Sequence, residues 1–314
     1  MTSLVTGAAG FVGSHVVRAL LARGEKVRAL VRPTGDLRGL GEMAVEIITG
    51  DVRDPRPVAR AVAGCDMVYH LAARYSSQPG DAAELYEVNV GGTKCVLRAA
   101  LAAGAGRVVL TSTIGTTGRP TDDTLPTEET SFNLWPSASH YVKSKYLSEV
   151  AALRLAEEGL PLIIVHPCAP IGFGDSKPTV TGQRILDFLR GKRPSYLAGG
   201  INFIAVRDVA QGHLLAAHKG RVGERYILGH LQGNLSLDEF LKLMAQVSGR
   251  TVPAAERRGW RARLRRRAAI PAGFRPMALT ADPSKAVQEL GLDQTPLHEA
   301  FTESVAWYKG EGYV

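Results

Sequence analysis

The chain opens Met1-Thr2-Ser3-Leu4-Val5-Thr6, continues Gly7-Ala8-Ala9-Gly10-Phe11-Val12-Gly13, and enters a run with helical periodicity. Three glycines at this spacing, between an apolar strand and a helix, constrain the fold more than any other feature. Gly7 permits a tight turn out of the strand. Gly10 lets the backbone approach a pyrophosphate, and Gly13 lets the helix lie close on the sheet. The helix N-terminus offers free N–H groups and the positive end of its dipole to phosphates. A dinucleotide suits such a unit, with Gly7, Gly10, Phe11, Val12 and Gly13 against it.

The pattern after this unit repeats it. Apolar strand-like runs at 3–6, 26–31, 45–49, 67–71, 107–112 and 162–166 alternate with helical stretches at 12–23, 84–103 and 138–158. Short apolar strands separated by helices predict a parallel sheet covered on both faces. With right-handed crossovers this is an α/β, doubly wound fold. Beyond Pro167 glycine and proline punctuate the chain to about residue 200, which predicts loops around a site. Late strands are expected at 202–209 and 224–228. Ser236 with Glu239 forms a capping-box pattern for a helix ending at Gly249, and two short helical patterns follow Pro283. The expected division is 1–167 plus about 203–232 for the nucleotide-binding domain. About 168–202 plus 233–314 would form a smaller substrate-binding domain.

The bulk properties exclude several classes. No apolar run is long enough to span a bilayer, and the N-terminus lacks a basic leader. Cys65, Cys95 and Cys168 are widely spaced, which suits a reducing cytoplasm and neither a disulfide framework nor a metal site. His70, His140, His166 and His213 show no ligand spacing either, so no metal is expected. The net charge of +8 is local, because seven arginines fall between Arg257 and Arg267. Trp260, Leu264 and Ala268 recur within that cluster, so a basic amphipathic helix is expected there. Peripheral contact with an anionic membrane is one use for it. No nucleic-acid motif accompanies it.

The strand ends carry the chemistry. The second strand, Val27-Arg28-Ala29-Leu30-Val31-Arg32, has no acid at its tip to accept from the ribose of NAD. Arg32 can instead pair with the 2′-phosphate of NADP, with Arg28 on the same alternating face. NADP(H) is therefore favoured and NAD(H), through Asp36, is possible. Asp51 and Val52 after the third strand are placed to meet the adenine, and Leu71, Ala72 and Ala73 after the fourth leave room for a cofactor. Tyr141 and Lys145 stand at i and i+4 and share a helix face. An ammonium near a phenol lowers its pKa and lets it exchange a proton with an alcohol or ketone. Thr113, in the run Thr111-Ser112-Thr113-Ile114-Gly115-Thr116-Thr117-Gly118, has a hydroxyl for the same substrate oxygen.

These pieces together (TGAAGFVG, GDVRD, HLAA, Asn89-Val90-Gly91-Gly92-Thr93, TSTIGTTG and Tyr141-x-x-x-Lys145) resemble the extended short-chain dehydrogenases/reductases. The resemblance implies Tyr141 as acid/base and Lys145 as the group that lowers its pKa and holds the nicotinamide ribose. It implies Thr113 as the group that orients the substrate oxygen, and Asn89 as a support for the active-site helix or a water. Thr111 and Pro167 complete the implied cofactor contacts, and a homodimer is common in the family. Thr116, Thr117, Tyr75, Pro170 and Phe173 are the candidate contacts to a small-molecule substrate.

Two subgroups look similar: hopanoid-associated sugar epimerases, through the segment 159–179, and dihydroflavonol reductase-like enzymes, through the arginine after the second strand. Nucleotide-sugar epimerases usually carry an arginine where this chain has His166, and another near the late strand, where this chain reads Gly200-Ile201-Asn202-Phe203. A buried diphosphate without cationic partners would be costly. One-way carbonyl reduction is therefore the first expectation. Epimerisation through a transient ketone is the alternative, and a non-catalytic NADP-sensing regulator is the reading from another class.

Overall fold

The computed structural model describes residues 1–122, 124–254 and 278–314. The arginine cluster between Arg257 and Arg267, and the amphipathic helix expected there, lie outside the described residues.

Among the described residues, seven parallel strands form the larger sheet. β1 (Thr2–Thr6) is followed by α1 (Phe11–Ala22), β2 (Lys26–Val31) and β3 (Glu46–Thr49). The chain then returns through α2 (Pro55–Val62) to β4 (Met67–His70) on the other side of β1. Beyond it come α3 (Ala82–Tyr86), α4 (Thr93–Ala102), β5 (Arg107–Thr111), α5 (His140–Glu157) and β6 (Leu162–Pro167). β7 (Ala169–Ile171), α6 (Val180–Leu189), β8 (Ile201–Ala205), α7 (Val206–Lys219) and β9 (Arg225–Leu228) follow, with β9 closing the sheet beside β6. The order is β3-β2-β1-β4-β5-β6-β9, so the winding reverses between β1 and β4. Ligands bind at such a reversal, outside the carboxyl ends of the strands.

Side chains alternate across the strands, so each strand feeds two cores. Val5, Tyr69, Val109 and Ile163 face α1 and α7 in one core. Leu4, Val68, Val108 and Ile164 join Val58, Leu97 and Leu155 of α2, α4 and α5 in the other. This two-sided cover is why the strands read as apolar runs.

A second, three-stranded sheet joins β8 to β7 and to β10 (Asn234–Leu235). It packs with α6, α8 (Leu237–Ser248) and α9 (Leu297–Gly310) around Phe188, Phe203, Phe240 and Phe301. The capping box is present: Ser236 and Glu239 bond reciprocally at the start of α8, and Gly249 ends it in the left-handed conformation.

Three expectations change. The strand expected at 202–209 stops at Ala205, and Val206 to Val209 begin α7 instead. The β-branched pair suggests a strand, but Val209, Ala210 and Leu214 pack in the core beneath α1, and tertiary packing overrides propensity. Residues 203–205, expected with the larger layer, pair in the smaller sheet. The helix expected at 84–103 is interrupted by a π-helical turn at Glu87–Gly92 that carries Asn89. Such turns commonly mark functional positions. No helix among the described residues is long and apolar enough to cross a membrane.

Buried histidines leave a pH signature in stability. Burial lowers His15 and His213 to about 4 and His70 to about 3. These rings are neutral in the fold, while the unfolded chain protonates them near ~6.5. As pH falls through that window the unfolded state binds more protons, and the histidine contribution to stability is lost. Asp175 and Asp208, raised by burial, oppose this. The histidine share is therefore read as a difference. The His213→Gln protein should lose less denaturant stability between pH 7 and pH 5 than the wild type. Equal losses would contradict it.

Candidate active site

The winding reversal opens a cleft of about 440 Å³ between the carboxyl ends of β1, β2, β3 and β4. Its floor is the glycine turn. Gly7 sits at φ 70°, and a Cβ there would lie 2.7 Å from the Ala72 nitrogen. A Cβ on Gly13 would lie 2.1 Å from the Gly7 carbonyl oxygen, so α1 rests on the turn at the closest approach a backbone allows. Gly10 differs: a Cβ there would meet only the Gly7 oxygen, at 3.2 Å, and would otherwise project into open space. Gly10 caps α1 without a side-chain bond, and no acid stands in the first turn. The N–H groups of that turn therefore remain available to an anion, and the cradle fits a pyrophosphate.

The loop after β4 is fastened to this turn. Thr6 Oγ1 accepts from the Ala72 N–H at 3.1 Å and bonds His70 Nδ1 at 2.7 Å. His70 Nε2 in turn bonds Thr93 Oγ1 at 2.9 Å. Of the expected cofactor residues, Gly7, Gly10, Phe11, Arg32, Asp51, Val52, Leu71, Ala72 and Ala73 line the cleft. Val12 and Gly13 lie behind it and hold α1 in place. Arg32 is exposed at the tip of β2. Asp36 is already engaged by the Arg38 guanidinium at 2.7 Å, which holds its carboxyl well below the usual range, and Lys177 stands 3.6 Å away. Arg28 does not face the cleft. It pairs with Glu46 of β3 at 2.9 Å and donates to the carbonyls of Ala61 and Ala63 behind α2. It sits four residues, about 13 Å, back along the strand from Arg32.

The second part of the site is built on α5. Ser139 caps the helix by accepting from the Val142 N–H. Lys145 is buried, and its Nζ donates to the Thr111 carbonyl at 2.7 Å. Burial lowers it to about 8, against the opposing pull of Glu149. Tyr141 is half-buried, with its ring edge-on to Tyr75 at 4.8 Å, and Tyr75 lines the cleft. Desolvation, then Tyr75, pushes its phenol up to about 12. Asn89 is fully buried and bonds three ways: to the Arg74 N–H at 2.8 Å, the Arg74 carbonyl at 3.0 Å and Ser144 Oγ at 2.8 Å. It ties the loop after β4 to the α5 turn between Tyr141 and Lys145.

Residues 3–229 match the model of the NAD dependent epimerase/dehydratase family. The chain belongs to this family. A Synechocystis protein provisionally named dihydroflavonol 4-reductase is 38% identical over 329 residues, covering 99% of this chain and 95% of that protein. Sterol demethylase protein B of Methylococcus capsulatus is 35% identical and is covered end to end, as is this chain. The crystal structure of gox2253 superposes with a TM-score of 0.89 at 36% identity, covering 100% of this chain and 99% of that one. The protein is thus an NAD(P)-dependent enzyme of the extended short-chain dehydrogenase/reductase type, and its seven-stranded sheet matches the Rossmann-like sheet of its structural neighbours.

Within this family site, the hydroxyls after β5 have different fates. Thr113 Oγ1 accepts from the Gly115 N–H at 3.2 Å, which leaves its own O–H available. Thr116 does not present its hydroxyl to a substrate, because it donates to the Thr113 carbonyl at 2.7 Å. Thr117 Oγ1 is buried without a hydrogen-bond partner among the described residues. Pro170 lies in β7, opposite Ile204. The Phe173 ring is engaged by His15 at 4.4 Å, with Arg18 and Trp307 nearby, so it packs between helices and does not form the substrate wall expected of it. Thr111 and Pro167 end β5 and β6 away from the cleft lining; Thr111 contributes through its carbonyl. His140 bonds the Tyr86 hydroxyl at 3.1 Å and is a structural neighbour. Among the described residues no cluster could hold a metal.

Sequence reasoning missed two features. Asp175 to Lys177 and Thr179 of the smaller unit form the opposite wall of the cleft. Glu149 is buried one turn beyond Lys145, accepting from the Ser112 hydroxyl. Its spacing from Tyr141 and Lys145, i+8 and i+4, was the available signal.

The glycines give a paired prediction. Gly13→Ala should destabilise the fold by about 1–3 kcal/mol, because its Cβ meets backbone. Gly10→Ala should unfold like the wild type yet lose at least tenfold in NADPH or NADH affinity. Denaturant titration and nicotinamide fluorescence check the two halves; equal nucleotide binding in Gly10→Ala would contradict the cradle.

Proposed function

We propose that this enzyme moves hydride between a nicotinamide cofactor and a carbonyl or secondary alcohol carbon of a small molecule, with reduction its working direction. The observation that carries this reading is the meeting of the dinucleotide cleft with the Tyr141–Lys145 face of α5, through the Tyr75–Tyr141 ring contact at 4.8 Å. A phenol there is a proton donor at neutral pH, and carbonyl reduction consumes one proton at oxygen for each hydride at carbon.

When bound, the reduced nicotinamide supplies the hydride. Tyr141 donates its hydroxyl proton to the carbonyl oxygen as the carbon becomes tetrahedral. The ammonium of Lys145, one turn along the same face, stabilises the phenolate left behind. Thr113 donates its free O–H to the same oxygen and orients it. Asn89 holds the helix turn between Tyr141 and Lys145 by its bond to Ser144. The names of the relatives support a ring-bearing ketone as substrate, through dihydroflavonol and sterol chemistry. Tyr75, 58% exposed beside Tyr141, supplies an aromatic face for such a ring. NADP(H) is the preferred cofactor in this reading, since Arg32 is exposed at the tip of β2 while Asp36 is engaged by Arg38. A homodimer through α5 belongs to the same proposal and is read by sedimentation.

The decisive experiment begins with nucleotide release. Protein that carries tightly held NAD after purification would favour epimerisation, whereas empty protein that prefers NADPH supports the reductase. With NADPH and a dihydroflavonol or sterol-derived ketone, Tyr141→Phe should lose about 100-fold or more of turnover. Unchanged turnover would remove Tyr141 from the chemistry. Arg32→Ala should weaken NADPH about tenfold and leave NADH unchanged; equal losses for both would remove the NADP assignment.

A further inference from the structure

Glu149 lies on the same face of α5 as Tyr141 and Lys145. It is 3% exposed, and a carboxylate at that depth is costly unless its oxygens are satisfied. Ser112 donates its hydroxyl to Oε1. His166 Nε2 stands 3.3 Å from the same oxygen. His166 is itself 2% exposed, and its two ring nitrogens are buried without a hydrogen-bond partner among the described residues. Its one polar approach is to Glu149.

The end of β5 and this helix face meet residue by residue. The Thr111 carbonyl takes Lys145, and the Ser112 hydroxyl reaches Glu149. Thr113, next along, carries the hydroxyl assigned to the substrate oxygen. Displacing α5 along β5 would therefore misplace Lys145, Tyr141 and Thr113 together.

We propose that Glu149 is a positioning residue: its carboxylate, held by the Ser112 hydroxyl and facing His166, sets α5 in register with the end of β5 and stands one turn from the Lys145 ammonium on the same buried helix face. This rests on Tyr141 and Lys145 being the working pair.

The surrounding charges leave this task to Glu149. Burial works against its ionised form, but the adjacent His166 and the Ser112 hydroxyl outweigh burial and hold it below the usual glutamate range. Burial drives Lys145 down, and Glu149 is the neighbour that pushes it back up. The histidines that face the pair from β4 and α7 carry no compensating charge. His70 on β4, facing Lys145, and His213 on α7, bonded to Thr111, are neutral at pH 7. Tyr141 is protonated. Glu128, from the loop before α5, faces His166, is raised by burial and accepts from the Ile227 N–H.

The test is the pH dependence of NADPH binding, followed by nicotinamide fluorescence between pH 6 and pH 10. Affinity should fall as Lys145 loses its proton. In Glu149→Gln, which keeps the shape and an acceptor for Ser112, the midpoint of that fall should move about one unit to lower pH. Glu149→Asp should restore it. Should Glu149→Gln not fold, Ser112→Ala should move the midpoint the same way by less. Identical midpoints in wild type and variant, or a wild type with no fall in this range, would overturn the proposal. Turnover of Tyr141→Phe is read separately on the trial ketone. If that variant stays active, the catalytic reading fails; if it is inactive while the Glu149→Gln midpoint is unmoved, the role of Glu149 alone fails.

Discussion

The close approach of α1 to the turn that precedes it is the contact on which the rest of the structure depends. Gly13 rests against the Gly7 carbonyl, and Gly7 against the backbone at Ala72, so three chain segments meet without side chains between them. Nothing larger than hydrogen fits at either place. The consequence is a floor made only of backbone, at the one point where the sheet reverses its winding. Such a floor accepts phosphates because its N–H groups are open and no Cβ stands in the way. The Thr6–His70–Thr93 chain of hydrogen bonds then carries the position of this floor across β4 to α4. His70 fits this role because burial keeps it neutral, which lets one ring nitrogen donate while the other accepts.

A second joint places the proton chemistry. Lys145 would be an expensive buried cation if it stood alone, and the fold meets that cost with a carbonyl from β5 and a carboxylate on its own helix. The arrangement separates two demands. In the proposed reduction Tyr141, half-buried beside Tyr75, keeps its proton until a substrate oxygen takes it. Lys145 lies deeper, where, in that proposal, its charge acts on the phenolate formed during reaction and is little screened by water.

What the sequence made legible was local. Strand alternation, the glycine turn, the capping box at Ser236 and the i,i+4 pair of Tyr141 and Lys145 each depend on residues within a few positions of one another. What it hid depends on partners far along the chain. Arg28 and Arg32 look equivalent on an alternating strand, but Arg28 lies opposite Glu46 in the parallel register, which no local pattern reveals. Phe173 follows a glycine-rich loop and reads as a pocket residue until His15, 158 positions earlier, is found bonded to its carbonyl. Ser112, Glu149 and His166 lie at the end of β5, on α5 and on β6, and their association appears only when these elements are adjacent. The end of β8 failed for a different reason: Val206 and Val209 favour a strand intrinsically, and only packing against α1 decides for a helix.

The same crossings explain how a second unit can form one wall of the cleft without loosening the first. The chain leaves the large sheet at Pro167 and enters the small one at Ala169; it returns between Ala205 and Val206. Neither crossing contains a flexible linker. Arg207 and Asp208, immediately after the return, grip the far end of the small unit. Arg207 pairs with Glu303 at 3.0 Å, and Asp208 accepts from the Thr295 N–H and hydroxyl at 2.8 and 2.7 Å. His15 adds a third tie, from the first turns of α1 to Phe173. Asp175, Lys177 and Thr179 therefore hold their wall of the cleft at a set distance from Gly10 and Arg32. Substitutions within α6 or the loop before it can reshape this wall, while the glycine turn and the α5 face stay where the large sheet puts them.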